Sequence, residues 1–271
     1  MSKIMEDCLK NVRVESDLIG SLEVPADALY GVQTLRGIEN FPISCFHLND
    51  YPLFINGLAM TKLAAAEANY QLGLLSDSQY NGITQACREI LEGKHHEHFP
   101  VDMIQGGAGT TTNMNANEVI ANRALQIMGY PLGKYKHCSP NDHVNCSQST
   151  NDAYPTAIHL GLYATHLEFM KHFIPLIDSF EAKAKEFAGI LKMGRTQLED
   201  AVPMTLGQTF GAFASILRDE IRNLNFAAEE FLTVNMGATA IGTGICSEPG
   251  YSDKCIAALR EITGWDIKLA D

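Results

Sequence analysis

Two apolar rhythms in the second half of the chain constrain its fold more than any other feature. Leu160, Tyr163, Leu167, Met170, Ile174 and Ile177 recur at intervals of three and four residues. Leu206, Phe210, Phe213, Leu217, Ile221, Leu224, Ala228 and Phe231 keep nearly the same spacing. A period near 3.5 holds one apolar seam on the same side of a helix over many turns, the pattern of bundles and coiled coils. Runs of roughly 30 residues at about 1.5 Å per residue make helices on the order of 45 Å long. Pro175 interrupts the first run, where its missing N–H predicts a kink. Two such helices cannot cover each other's seams and close a core alone. They belong in a larger bundle, supplied by further sequence, by other subunits, or by both.

The first half reads differently, with shorter helical stretches separated by Gly, Pro and Asn. Helices are expected from Leu53 to Leu72, from Ser76 (with Gln79 completing a capping box) to just before Gly93, and from about Asn115 to Met128. The segment Tyr30 to Thr34 has strand character but no evident partner. Another short helix fits Ser252 to Ile262, with Gly264 as its stop. No closing helix follows it, so the chain reads as a piece of a longer polypeptide. The fold class is mainly α.

Charge and cysteine content narrow the function. Lys and Arg number 20 against 32 Asp and Glu, a net charge of −12, which argues against nucleic acid and against an anionic membrane surface. It leaves room for a small anionic substrate, because a local site can oppose the net field. The acidic N-terminus Met1 to Asp7 has no signal-peptide character, and no apolar run approaches a bilayer span. Seven scattered cysteines without a C-x-x-C pair read as reduced thiols of a cytoplasmic protein. Lys94-His95-His96-Glu97-His98 reads as a solvated loop after Gly93, with an adventitious metal contact as the lesser reading; no metal site is expected.

Three segments hold more polar side chains than folding needs. Gln105 to Asn115 combines Gly106, Gly107 and Gly109 with Thr110, Thr111 and Thr112 ahead of a helix, where free backbone amides suit an anion. It lacks the P-loop lysine and a preceding strand, and a plain capped turn is the alternative. Ser147 to Pro155 opens the first long helix with Ser149, Thr150, Asn151 and Asp152, where one cap would suffice. Met193 to Pro203 links the long helices and carries Arg195, Thr196, Gln197, Glu199 and Asp200, either a site or a solvated loop with local ion pairs. A weaker fourth segment is the small-residue loop Gly237 to Gly244. Together they offer many neutral donors for carboxylate oxygens. The residues alone describe a helical protein that binds a small anion.

The same segments carry a family resemblance. Gly106-Gly107-Ala108-Gly109-Thr110, Asn113 to Leu125, Gln148 to Asp152, Gly194 to Pro203 and Asn235 to Gly244 closely resemble the aspartase/fumarase superfamily, as does Tyr30 to Thr34. The aspartases are the more similar branch and the fumarases the less, since Gln197 stands where fumarases usually have His. Thr111 stands where aspartases commonly have Ser, which keeps the hydroxyl and adds a methyl. The resemblance implies a truncated aspartase/fumarase fold: an N-terminal lyase domain over 1–148 and the first part of a central helical-bundle domain over 149–271. It implies reversible elimination of ammonia from L-aspartate to fumarate, no cofactor, and a homotetramer. Thr110, Ser149 and Thr150 would donate to the β-carboxylate, Asn151 would hold the amino group, and Thr196 with Gln197 would face the amino group and α-carboxylate. Gln197 can serve only by hydrogen bonding. The family's base serine is expected beyond Asp271, leaving no catalytic base in this chain and the chain inactive alone. A non-catalytic helical scaffold is the rival of a different class.

Overall fold

The computed structural model describes residues 11–271, so Cys8 and the acidic stretch Met1 to Asp7 lie outside the described residues. Two compact units are present: residues 11–162 with 232–271, and residues 163–231. The six described cysteines are all free thiols. No helix among the described residues is long and apolar enough to cross a membrane.

The first unit begins with a hairpin that the sequence did not announce. Strands β1 (Val12–Ser16) and β2 (Ser21–Pro25) pair antiparallel, Val12 opposite Pro25 and Ser16 opposite Ser21. Charged residues interrupt both strands, but Arg13 and Glu15 are used inside the fold. The Arg13 guanidinium donates to the Pro25, Ala28 and Tyr30 carbonyls, each at 2.7 Å, and to Glu15. Glu15, almost wholly buried, accepts from Tyr135 Oη at 2.8 Å.

The strand-like Tyr30 to Thr34 is instead the start of helix α1 (Val32–Asn40). The cause is long-range. Glu118 accepts the free N–H groups of Gly31, Gln33 and Thr34 at 2.8, 2.9 and 3.0 Å, and the Thr34 hydroxyl at 2.6 Å. A helix start with no local side-chain cap is thus capped by a carboxylate more than 80 residues away.

Helices α2 (Pro52–Gln71), α3 (Asp77–Leu91) and α4 (Thr110–Ile127) form the main core with Leu58, Ile83, Ile90, Val119, Ile120 and Leu125. Ser76 and Gln79 make the expected capping box on α3. Gly109, at φ +89°, lets α4 start at Thr110 rather than at Asn115. The run Ala64-Ala65-Ala66 is buried, and Gly57 is required where α2 meets the long helix that begins at Thr150: a Cβ there would lie 2.3 Å from the Ala157 carbonyl oxygen.

Helix α5 (Thr150–Glu186) is 37 residues long and its helical assignment continues through Pro175. Residues up to 162 belong to the first unit and the rest to the second. Beyond it, the expected loop between the long helices is a β-hairpin, β3 (Leu191–Thr196) with β4 (Glu199–Thr205). The register shifts between Met193 and Arg195, and the buried Gly194 sits against the Val202 carbonyl and the Met204 side chain. Helix α6 (Leu206–Glu229) follows at once, capped by Thr205 with Gln208. In the second unit the core is small. Phe173, Ile177 and Ala214 are buried, with Phe180, Leu217, Ile221 and Leu224 packed around them. The first unit is completed by β5 (Thr233–Val234), α7 (Tyr251–Thr263) and β6 (Lys268–Leu269), with β5 and β6 parallel and Gly264 ending α7 at φ +72°.

Candidate active site

The site grows from three neighbouring pieces of the first unit. Gln105 closes the glycine-rich loop onto α4: its Oε1 accepts the Thr112 N–H at 2.9 Å and its Nε2 donates to the Thr112 hydroxyl at 2.6 Å. Gly109 touches the Tyr154 ring so closely that a Cβ would lie 2.3 Å from it. Thr110 is then the first residue of α4 and exposed. The additional methyl of Thr111 is accommodated by Gly37, where a Cβ would be 2.3 Å from Thr111 Cγ2.

The second piece is the start of α5. Asp152 is completely buried and organises it. One carboxylate oxygen accepts the Ser149 N–H at 2.9 Å, and the other accepts the Gly237 and Thr239 N–H groups, both at 3.0 Å. The fourth polar segment is thereby fastened to the second. Asn151 adds to the junction: its Nδ2 donates to the Ala240 carbonyl at 2.9 Å, and Asn235 Nδ2 donates to the Asn151 carbonyl at 3.1 Å. Gly237 is needed for this approach, since a Cβ there would meet Ser252 Oγ at 2.1 Å.

The third piece is a residue that pattern reading missed. Lys62 lies on α2 with no exposed surface, and its Nζ donates to Asn113 Oδ1 (2.7 Å), Gln148 Oε1 (2.8 Å) and Asn145 Oδ1 (2.9 Å). Asn113 Nδ2 in turn donates to Thr150 Oγ1 at 3.1 Å. Burial pulls the Lys62 ammonium down to about 7, with the Asp152 charge opposing that shift. The available signal was compositional: a lysine inside a helix that is apolar on every side is buried, and a buried lysine is seldom idle.

Thr110, Ser149, Thr150 and Asn151 are therefore all on elements of the first unit, and Asn113, Lys62 and Asp152 tie those elements together. Thr196 and Gln197 belong to the second unit, at the tip of the β3–β4 hairpin, and both are exposed. Gln197 and Leu198 form a two-residue turn with φ of +49° and +71°. Such a turn prefers Asn-Gly, so two side chains are held in the left-handed region. Arg195 and Asp200 pair across the exposed hairpin at 3.1 Å.

The histidine run corrects the expectation of a solvated loop. His96 to His98 form one 3₁₀ turn folded back on the protein, with His96 Nε2 on the Ile90 carbonyl at 2.9 Å and His95 Nε2 on Glu89 at 3.0 Å. One nitrogen or oxygen each of His95, Glu97 and His98 lie within 4.8 Å of one another. The Leu29 N–H faces His98 Nδ1 at 3.5 Å.

Aspartate ammonia-lyase of Pseudomonas aeruginosa is 56% identical over 259 residues, covering 95% of this chain and 55% of the relative. A fumarate lyase:delta crystallin from Brucella melitensis, crystallised with cobalt, superposes with a TM-score of 0.92 at 49% identity, over 96% of this chain and 56% of that one. Class II fumarase from Schistosoma mansoni gives 0.82 at 34% identity, over 94% and 53%. The chain spans about half the length of the curated relatives it matches. The lyase family model matches residues 20–271, and the chain belongs to that family, the aspartase/fumarase superfamily.

Proposed function

We propose that the full-length protein to which this chain belongs is an ammonia-lyase that reversibly eliminates ammonia from L-aspartate to give fumarate, as a cytoplasmic homotetramer. In this reading residues 1–148 are the N-terminal lyase domain and 149–271 open the helical-bundle domain. The carrying observation is the state of the hydroxyls at the head of α5. Ser149 Oγ accepts from the Asn151 N–H at 3.2 Å and Thr150 Oγ1 accepts from Asn113 Nδ2 at 3.1 Å. A hydroxyl that accepts inside the fold still has its hydrogen to give. Two such donors, beside exposed Thr110, suit the oxygens of a carboxylate.

The chemistry asks for that arrangement. Removing a proton from the carbon beside the β-carboxylate drives negative charge onto its oxygens. Donors already aimed there lower the transition state more than the ground state. Thr110, Ser149 and Thr150 take the β-carboxylate. The Asn151 amide nitrogen is spent on the Ala240 carbonyl, so its Oδ1 is the atom that faces the amino group. Thr196 and Gln197 take the amino group and α-carboxylate by hydrogen bonding alone. The higher identity to an aspartate ammonia-lyase than to a fumarase favours ammonia over water as the leaving group.

Incubating the full-length protein with L-aspartate and following fumarate by its ultraviolet absorbance tests the proposal. Fumarate supplied with ammonia or with water alone separates the lyase from a hydratase. Ser149→Ala and Thr150→Ala are each expected to lower kcat by about 10²- to 10³-fold, the usual loss for one preorganised donor. Unchanged turnover and unchanged fumarate affinity in both variants would favour a helical scaffold.

A further inference from the structure

The buried charge beneath the site has an unusual set of partners. The Lys62 ammonium donates to the amide oxygens of Asn113, Asn145 and Gln148, and among the described residues no carboxylate pairs with it. Three amide oxygens converging on one point repel each other unless a donor stands between them. An ammonium has three hydrogens and no lone pair, so it fits that point and fixes the orientation of all three amides. Their nitrogens must then point outward. Gln148 Nε2 reaches the Val144 and Cys146 carbonyls at 2.9 and 3.1 Å, and Asn145 Nδ2 reaches the Gln148 carbonyl at 3.3 Å. Asn113 Nδ2 reaches Thr150 Oγ1 at 3.1 Å and Asn145 Oδ1 at 3.2 Å.

The last of these decides the polarity of a site residue. With Asn113 oriented nitrogen-outward, Thr150 can only accept from it, and the threonine hydrogen is directed elsewhere. With Asn113 reversed, its oxygen would face Thr150 and take that hydrogen. We propose that Lys62 is a positioning residue: by locking the Asn113 amide it makes Thr150 an acceptor within the fold and therefore a donor to a bound carboxylate. The orientation argument stands on the geometry alone, and its consequence for turnover rests on the proposed lyase reading.

The test separates the two. In the wild-type protein, the Asn113 side-chain amide protons should show a nuclear Overhauser contact to the Thr150 methyl. Lys62→Met, similar in length and without donors, should lose that contact while retaining the native circular dichroism. Asn113→Asp keeps the Lys62 charge paired and removes only the nitrogen donor, so it also serves if Lys62→Met fails to fold. In Asn113→Asp the Thr150 hydroxyl turns inward to the new carboxylate. Fumarate affinity should then fall at least tenfold without loss of melting temperature, and adding Thr150→Ala should cost less than a further threefold. Adding Ser149→Ala should cost as much as it does in the wild type. Retention of the amide–methyl contact in folded Lys62→Met, or full additivity of Asn113→Asp with Thr150→Ala, overturns the proposal. Loss of the contact in a full-length protein whose wild type neither binds fumarate nor releases it from L-aspartate upholds Lys62 as the positioner and overturns the lyase reading instead.

Discussion

At the scale of the residue, the first unit buries opposite charges and satisfies each with largely neutral groups. Glu118 takes three backbone N–H groups and a hydroxyl; Lys62 gives to three amides. Among the described residues neither has a counter-ion in contact, so each charge costs desolvation that its hydrogen bonds chiefly offset. For Lys62 the cost appears as a pKa pulled down to about 7 from the ordinary 10.5, burial being the larger cause, with Asp152 and more weakly Cys87 acting against it. Between those values the unfolded chain holds a proton that the folded chain has given up. Stability then rises with pH across the window from about 7 to 10.5 and is lower below it, where the charge must be buried. Urea midpoints for the wild type and for Lys62→Met at pH 6.5 and 9.5 check the sign. The wild type should gain on the variant at the higher pH, and a gap that stays constant would deny the titration to Lys62. The residue pattern carried only the hint of a lysine in an apolar helix; its amide partners and its lowered pKa depend on groups 51 to 86 residues away.

Elements show where local rules held and where they yielded. The α3 capping box, the Gly264 stop and the long helical runs are properties of residues three or four apart, and they formed as the spacing requires. Helix α1 and the two hairpins are different. Helix α1 depends on Glu118, and β1–β2 depends on Arg13 and Glu15 being held by distant groups. The β3–β4 hairpin turns on Gln197-Leu198, a pair that gives no turn signal and adopts left-handed φ at both positions. Replacing it by Gln197→Asn with Leu198→Gly should raise stability by about 1–2 kcal/mol, from relieved strain less the glycine entropy. Chemical denaturation measures that gain. In the lyase reading the same double variant loses the Gln197 contact, so its KM for L-aspartate should rise as its stability improves.

For the molecule as a whole, the two units differ in how much apolar surface they bury. The first has continuous cores around Ile120, Leu125 and Leu259. The second buries only Phe173, Ile177, Ala214 and Ala228 among its apolar side chains, and leaves Phe169, Ile174, Phe213, Ile216 and Phe226 exposed, Phe226 to 69%. Apolar residues in that number on two long helices mark a surface for association. The tetramer proposed above predicts that Ile216→Glu together with Phe226→Glu lowers the sedimenting mass below four chains while the first unit keeps its helical signal. An unchanged mass would assign the contact to another face. Of the two apolar rhythms, Met170, Ile177, Leu217, Ile221 and Leu224 pack within the second unit, while Ile174 and Phe213 stay exposed together with the off-seam Phe169, Ile216 and Phe226. Sequence alone determined the long helices and the polar segments around Thr110, Ser149 to Asn151 and Thr196, because those rest on short spacings and side-chain type. Only the tertiary structure decided that Glu118 starts a helix, that Asp152 fastens residues 237–239 to α5, and that Lys62 governs the amide beside Thr150. Each of those joins groups dozens of residues apart, and their energies depend on burial, which no local pattern contains.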